Sequence, residues 1–266
     1  MKRIVPGLFI AGFWLLLLLK GSILLFCLAI ILIVLVAAAE YVKMVDVRPT
    51  SLLERWLLHV AVAAPVIVTC LYPYADALLG ATLGSFLLLT GYFLYRYKNI
   101  DQSYDLFCRL VFGILYVGVL GAHLVLLRFM PEGGSWLVIA SAITACSDTG
   151  AYFVGRSLGK RKLCPSISPN KTVEGAIGGV LCGLVGALFF AALLLPACNW
   201  FFLTGAAVFL AGAGIVGDLT ESIIKRGTDT KDSGSCLAGH GGVLDRVDSL
   251  LFVCPILYYL LAFPVL

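Results

Sequence analysis

Residues 21–39 read GSILLFCLAIILIVLVAAA, and nothing in that stretch carries a charge. Wound as an α-helix, which rises about 1.5 Å per residue, a run of this length crosses a hydrocarbon core about 30 Å thick. Inside a bilayer no water satisfies backbone N–H and C=O groups, so such a run must close its own hydrogen bonds as a helix. Further runs of the same character lie at residues 4–19, 57–72, 75–95, 106–130, 136–155, 173–195, 200–216 and 250–266. The 266-residue chain is 61% hydrophobic and only 13% charged; a soluble domain is about half apolar and about a quarter charged. The expected fold class is therefore all-α: a polytopic transmembrane helical bundle of about nine spans.

The opening, MKRIVPGLFIAGFWLLLLL, has the basic start and apolar stretch of a signal peptide, but no small-x-small cleavage site follows. Lys20 interrupts and a second apolar run begins at once, so a retained first span is expected, turning tightly at Lys20-Gly21-Ser22. The connections then alternate. Those at 72–74, 131–135 and 196–199 are short and lack Lys and Arg, while those at 43–55, 96–109, 156–171 and 225–246 are longer and basic. Cytoplasmic loops carry the excess of Lys and Arg. With nine spans and a cytoplasmic N-terminus, all but Lys20 and Arg128 of the 19 Lys and Arg fall inside. An eight-span arrangement breaks that agreement. The expected location is a bacterial-type inner (plasma) membrane, with the C-terminus outside. The net charge of +4 does not suggest nucleic acid. Most of the nine cysteines lie within apolar runs and none forms a CxxC pair, which suggests neither a disulfide framework nor a zinc site.

Residues 1–140 read as a hydrophobic bundle serving as scaffold, dimer or lipid-access region, with His59 and His123 in packing roles. The polar chemistry belongs to residues 141–266, a catalytic region with cytoplasmic loops at 156–172 and 217–249. An ionisable residue in a span costs several kcal/mol and faces a cavity or a partner. Asp148 is such a residue, in ASAITACSDTGAYFVG. Asp218 and Glu221, in GIVGDLTESIIKR, are three apart and share one helix face, as do Asp245 and Asp248 in LDRVDSLLF. Taken singly, each is equally well a helix-end carboxylate paired with a Lys or Arg. Together they flank one basic loop where membrane meets water. Carboxylates converging from several helix ends suit a hard cation such as Mg²⁺, which commonly also binds substrate phosphates.

The first basic loop, GRSLGKRKLCPSISPNKTVEGAIGG, offers Arg156, Lys160, Arg161, Lys162 and Lys171, with Ser168, Asn170 and Thr172 as hydrogen-bonding groups. A helix capped by Thr172 or Asn170 follows, and free N–H groups at a helix start attract anions. Five cations would also suffice merely to set topology. The second loop, SIIKRGTDTKDSGSCLAGHGGVLDRVD, surrounds His240 with Gly239, Gly241 and Gly242 and adds Lys225, Arg226, Lys231 and Arg246. Successive N–H groups in a glycine turn form an anion-binding nest. The combination describes an acidic metal centre inside a cationic phosphate-binding rim, the arrangement that phosphoryl-type transfer requires. It reaches a membrane enzyme handling phosphorylated substrates and no further. A secondary transporter with charged midplane residues is the alternative of a different class, but the charges gather in two loops and no inverted repeat is visible.

The stretch Ser222 to Asp248 resembles the signature of the phosphatidate cytidylyltransferase (CDP-diacylglycerol synthase) family, S-x-x-K-R-x4-K-D followed after a gap by H-G-G-x-x-D-R-x-D. Ser222, Lys225, Arg226, Lys231, Asp232, His240, Gly241, Gly242, Asp245, Arg246 and Asp248 all fit; Ala238 stands where the family usually has Pro or Gly. SDTGAYFVGR and SPNKTVEG, upstream, also resemble family segments. The resemblance implies transfer of a cytidylyl group from CTP to phosphatidic acid, giving CDP-diacylglycerol and pyrophosphate for phospholipid biosynthesis. It also implies dependence on Mg²⁺, a second, monovalent cation such as K⁺, and a homodimer. It makes Asp218, Asp245 and Asp248 the metal candidates, then Asp148 and Glu221. Lys171, Lys225, Arg226 and His240 become the phosphate candidates, with Ser222 orienting a ligand. An enzyme of related fold acting on another lipid, such as an archaeol-type CDP-lipid synthase or a polyprenol kinase, stays open.

Overall fold

The computed structural model describes residues 4–45, 51–100, 102–234 and 241–263. The apolar runs become helices: α1 (Ile4–Lys20), α2 (Ile23–Met44), α3 (Leu52–Leu71), α4 (Ala75–Arg96), α5 (Ser103–Phe129), α6 (Gly133–Leu158), α7 (Val173–Leu194), α8 (Trp200–Gly227) and α9 (Leu244–Ala262). Seven of them, α2 to α8, are long and apolar enough to cross a membrane. The chain is thus an integral membrane protein built as a helical bundle. α1 has 17 residues, and α9 spends its start on Asp245, Arg246 and Asp248.

The tight turn between the first two helices forms as expected. Ser22 caps α2 by accepting the Leu25 N–H at 3.2 Å. Arg128, at the far end of α5, holds the turn from outside by donating to Gly21 O at 3.0 Å while its guanidinium lies 5.7 Å from the Phe26 ring centre. α1 also leans on α6, where Trp14 Nε1 donates to Ser141 Oγ at 3.0 Å. The bundle centre is filled by Phe26, Tyr41, Leu58, Leu89, Leu110 and Leu137, all fully buried. Outward-facing residues such as Leu24, Leu94 and Phe201 stay apolar although exposed, which is what contact with hydrocarbon rather than water demands. His123 packs against the rings of Tyr258 and Tyr259 and bonds Val119 O through Nδ1 at 2.8 Å.

Three local features depart from the sequence expectation. The loop at 156–172 contains an antiparallel hairpin, β1 (Lys162–Cys164) and β2 (Ser168–Thr172), small enough to leave the class all-α in substance. α8 runs about three turns past its apolar stretch at 200–216, and Leu219, Glu221, Lys225 and Arg226, all good helix formers, lie in that extension. α5 contains a π-helical segment, Ile114–Val119.

Candidate active site

The extension of α8 displays Asp218, Glu221 and Lys225 at offsets of three and seven, along one face. The first turns of α9 display Asp245 and Asp248 in the same manner. The two helices meet where the smallest residue allows it: a Cβ on Gly217 would lie 2.8 Å from the backbone oxygen of Asp248. That approach gathers Asp218, Glu221 and Asp248, one oxygen from each lying within 4.8 Å of the others. Glu221 and Asp248 are 1% and 8% exposed. Asp248 Oδ1 accepts the Ser249 N–H at 2.6 Å. Glu221 Oε1 is buried and has no hydrogen-bond partner among the described residues.

Asp245 lies at the edge of the cluster, beside Glu221 and sharing Lys225 with it. It accepts Lys225 Nζ at 2.9 Å on Oδ1, the Gly242 N–H at 2.8 Å on Oδ2, and the Ser233 N–H at 3.3 Å. Burial pushes its carboxyl up, but hydrogen bonding with Glu221, Gly242 N–H and the Lys225 ammonium outweighs that and holds it down at about 2. Lys225 also bonds Glu221 Oε2 at 2.5 Å, so its ammonium ties the two helices together.

A cavity of about 540 Å³ opens on the other side of Asp218, lined among others by Asp148, Arg156, Asn170, Lys171, Thr172 and Asp218. Lys171 Nζ lies 2.5 Å from Asp218 Oδ2, an ion pair by proximity rather than an aligned hydrogen bond. Asp148 faces the same cavity as Asp218 and Lys171. Thr172, not Asn170, caps α7 by accepting the Gly175 N–H at 3.1 Å. Arg226 donates from Nε to Ile167 O at 3.3 Å and so fastens the hairpin to α8. Ser168, half-buried, pairs with Cys164 in that hairpin. Ser222 is half-buried on α8, whereas Lys231 and Arg246 are exposed. Of the glycine loop, Gly241 and Gly242 are described and His240 lies outside the described residues. The Gly242 amide serves Asp245 and is not free for a substrate.

Three residues of the site are not singled out by the sequence reading. Glu174 accepts the Lys160 and Arg161 N–H groups at 3.0 and 3.1 Å and folds the basic loop back over α7. Glu40, near the end of α2, bonds the start of α9; it closes an otherwise apolar run, so the rule that singles out Asp148 applies to it as well. Tyr116 lies in the π segment, buried, its hydroxyl without a partner among the described residues. Its ring rests 6.4 Å from that of Phe252, one turn beyond Asp248, and the charges it feels most are those of Asp248, Glu221 and Asp218. π-helical turns often mark functional sites, and no residue pattern announces one.

The donor set fits a hard divalent cation. It is all oxygen, it comes from two helices, and one buried carboxylate oxygen lacks a donor. Clusters of this kind next to a cationic cavity suit phosphate chemistry. The model of the Cytidylyltransferase family matches residues 1–263. A protein of Bacillus subtilis strain 168 named phosphatidate cytidylyltransferase is 47% identical over 149 residues, 56% of this chain and 55% of that protein. Proteins of the same name from Staphylococcus aureus strain COL and Staphylococcus epidermidis are 41% and 40% identical over 166 residues, 62% of this chain and 61% of theirs. The chain thus aligns with between half and two thirds of the length of these relatives. On the match that runs almost from end to end, the chain belongs to the cytidylyltransferase family.

Proposed function

We propose that the protein transfers a cytidylyl group from CTP to phosphatidic acid, releasing CDP-diacylglycerol and pyrophosphate. The observation that carries this reading is the position of Asp218. It belongs both to the three-carboxylate group and to the wall of the cavity that Lys171 and Arg156 line. A phosphate in that cavity would be held beside the acidic cluster, at the membrane surface where a lipid phosphate can reach it. The relatives' shared name supplies the substrates.

Asp218, Glu221 and Asp248 would hold Mg²⁺, with Asp148 next to them; the bound ion supplies charge neutralisation on phosphate oxygens. Asp245 supports the site through Lys225 and the loop amides rather than from within the cluster. An oxygen of the lipid phosphate forms a bond to the α-phosphorus of CTP while the bond from that phosphorus to the α–β bridging oxygen breaks, and pyrophosphate leaves with the electron pair. The attacking phosphate is already ionised near neutral pH, so no strong general base is needed. Lys171 and Arg156 take up charge at the cavity, Arg226 keeps the hairpin over it, and Ser222, Lys231, Arg246 and His240 complete the cationic and polar surround. Positioning and electrostatics supply the rate. A second, monovalent cation and assembly as a homodimer rest on the family resemblance, as does placement in an inner membrane. The cytoplasmic orientation of the site rests on the basic loops.

The test is direct. Purified protein given Mg²⁺, CTP and phosphatidic acid is expected to form CDP-lipid and pyrophosphate in equal amounts. Asp248→Ala and Asp218→Asn are expected to remove turnover while expression and membrane insertion persist. Formation of a nucleoside diphosphate in place of pyrophosphate would identify a lipid kinase and reject the reading.

A further inference from the structure

Helix α9 carries Asp245 and Asp248, yet it begins without a cap of its own. Its N-cap position is Val243, whose side chain accepts nothing. The first N–H groups of any helix lack intrahelical partners and need acceptors. Here they come from a residue 203 positions earlier in the chain. Glu40 accepts the Val243 N–H on Oε1 and the Leu244 N–H on Oε2, both at 3.0 Å. Ser233 Oγ donates to the same Oε2 at 3.3 Å and accepts the Asp245 N–H at 3.4 Å. The carboxylate therefore holds the first turn of α9 and, through Ser233, the loop that precedes it. It is 7% exposed, and among the described residues no Lys or Arg pairs with it. Its charge is met by amides and by the positive end of the helix. Gly242 makes the room: a Cβ there would collide with Ser233 Oγ and would lie 2.7 Å from Glu40 Oε2.

We infer that Glu40 is a positioning residue for the metal-binding carboxylates. This rests on the reading of Asp218, Glu221 and Asp248 as the divalent-cation site. A helix rotates by about 100° per residue, so loosening or rewinding the first turn of α9 swings Asp245 away from Lys225 and shifts Asp248 against Glu221. The N-terminal half of the bundle thereby sets the geometry of a centre whose ligands all lie in the C-terminal half. An acceptor on α2, buried in the core, resists displacement better than a local cap on a glycine-rich loop.

The test uses full-length protein in nanodiscs, wild type and Glu40→Ala, with two readouts. Hydrogen exchange of the peptide spanning residues 241–250 reports the cap. Mn²⁺ binding, followed by the electron paramagnetic resonance of the free ion, reports the carboxylates. Glu40→Ala is expected to speed exchange in that peptide and to weaken Mn²⁺ binding roughly tenfold, the loss typical when a residue supporting metal ligands is removed. Unchanged exchange overturns the cap. Faster exchange with Mn²⁺ binding within twofold of wild type overturns the positioning role. Wild-type protein that binds no Mn²⁺ overturns the metal reading, and the inference with it, while the exchange result still reports on the cap. Should Glu40→Ala fail to fold, Glu40→Gln keeps the volume and one acceptor oxygen; a smaller shift in the same two readouts is then expected, and none overturns the inference.

Discussion

The ammonium of Lys225 lies between two carboxylates, Glu221 Oε2 at 2.5 Å and Asp245 Oδ1 at 2.9 Å, whereas Lys171 meets Asp218 at the cavity wall. The surroundings assign them different work. Glu221 is 2% exposed at its side chain and Asp245 10%, so Lys225→Met would leave the Asp245 carboxylate nearly buried without its ammonium partner. Removing one partner of a buried pair costs about 3–5 kcal/mol, and a loss of that size is expected in denaturation of the purified variant. Lys171 and Asp218 are 24% and 33% exposed at their side chains, although the Lys171 ammonium itself is buried, and both line the cavity. Lys171→Ala should raise the half-saturating concentration of CTP or of phosphatidic acid; unchanged titrations with both would remove Lys171 from phosphate binding. Tyr116 is a third case. A buried hydroxyl without a partner costs about 1–3 kcal/mol, so Tyr116→Phe is expected to unfold no earlier than wild type when Mg²⁺ and substrates are left out. A clear loss of stability under those conditions would mean that the hydroxyl already has a partner.

At the scale of elements, the pair α8–α9 is the part of the site most plainly written in the sequence. Spacings of three within GDLTES and LDRVDS suffice by themselves to put Asp218 with Glu221 and Asp245 with Asp248 on shared helix faces. That the two pairs divide their labour is not written there. Whether Asp245 lies within the cluster or at its edge depends on where α9 starts, and that is fixed by Glu40 from a distant helix. The hairpin at 162–172 is hidden because its prolines and basic residues look like an irregular loop, and the π turn because six apolar residues give the same signal in either helix type. Gly217 is legible only as a helix-weakening residue, not as the contact point with Asp248 O. A larger side chain there must push the helices apart, at a cost of about 1–3 kcal/mol for overpacking. Gly217→Leu is accordingly expected to insert in the membrane but to lose Mn²⁺ binding, whereas Gly212→Leu, where a Cβ meets nothing within 4 Å, keeps it. Equal binding by the two variants would mean that the α8–α9 contact does not set the cluster.

Across the whole molecule, charge is divided unequally between the two ends of the bundle. Among the described residues, Lys171, Lys225 and Arg226 lie with the carboxylate group at one end; Arg128 at the other is committed to the α1–α2 turn and to Phe26. Phosphate substrates need the cationic end, and cytoplasmic loops are the ones rich in Lys and Arg, so a site supplied with CTP should face the cytoplasm. The helices make this testable by parity. Between Tyr74, in the turn before α4, and Lys231, after α8, the chain passes through α4, α5, α6, α7 and α8, an odd number of crossings. Both positions are exposed. In a cysteine-free background, Lys231→Cys should react with a membrane-impermeant maleimide only in inverted inner-membrane vesicles, and Tyr74→Cys only in right-side-out vesicles. Labelling of both from one side would mean that one of those helices does not cross. The reverse pattern would keep every crossing but turn the cluster and its cavity away from the cytoplasm, where no CTP could reach Lys171.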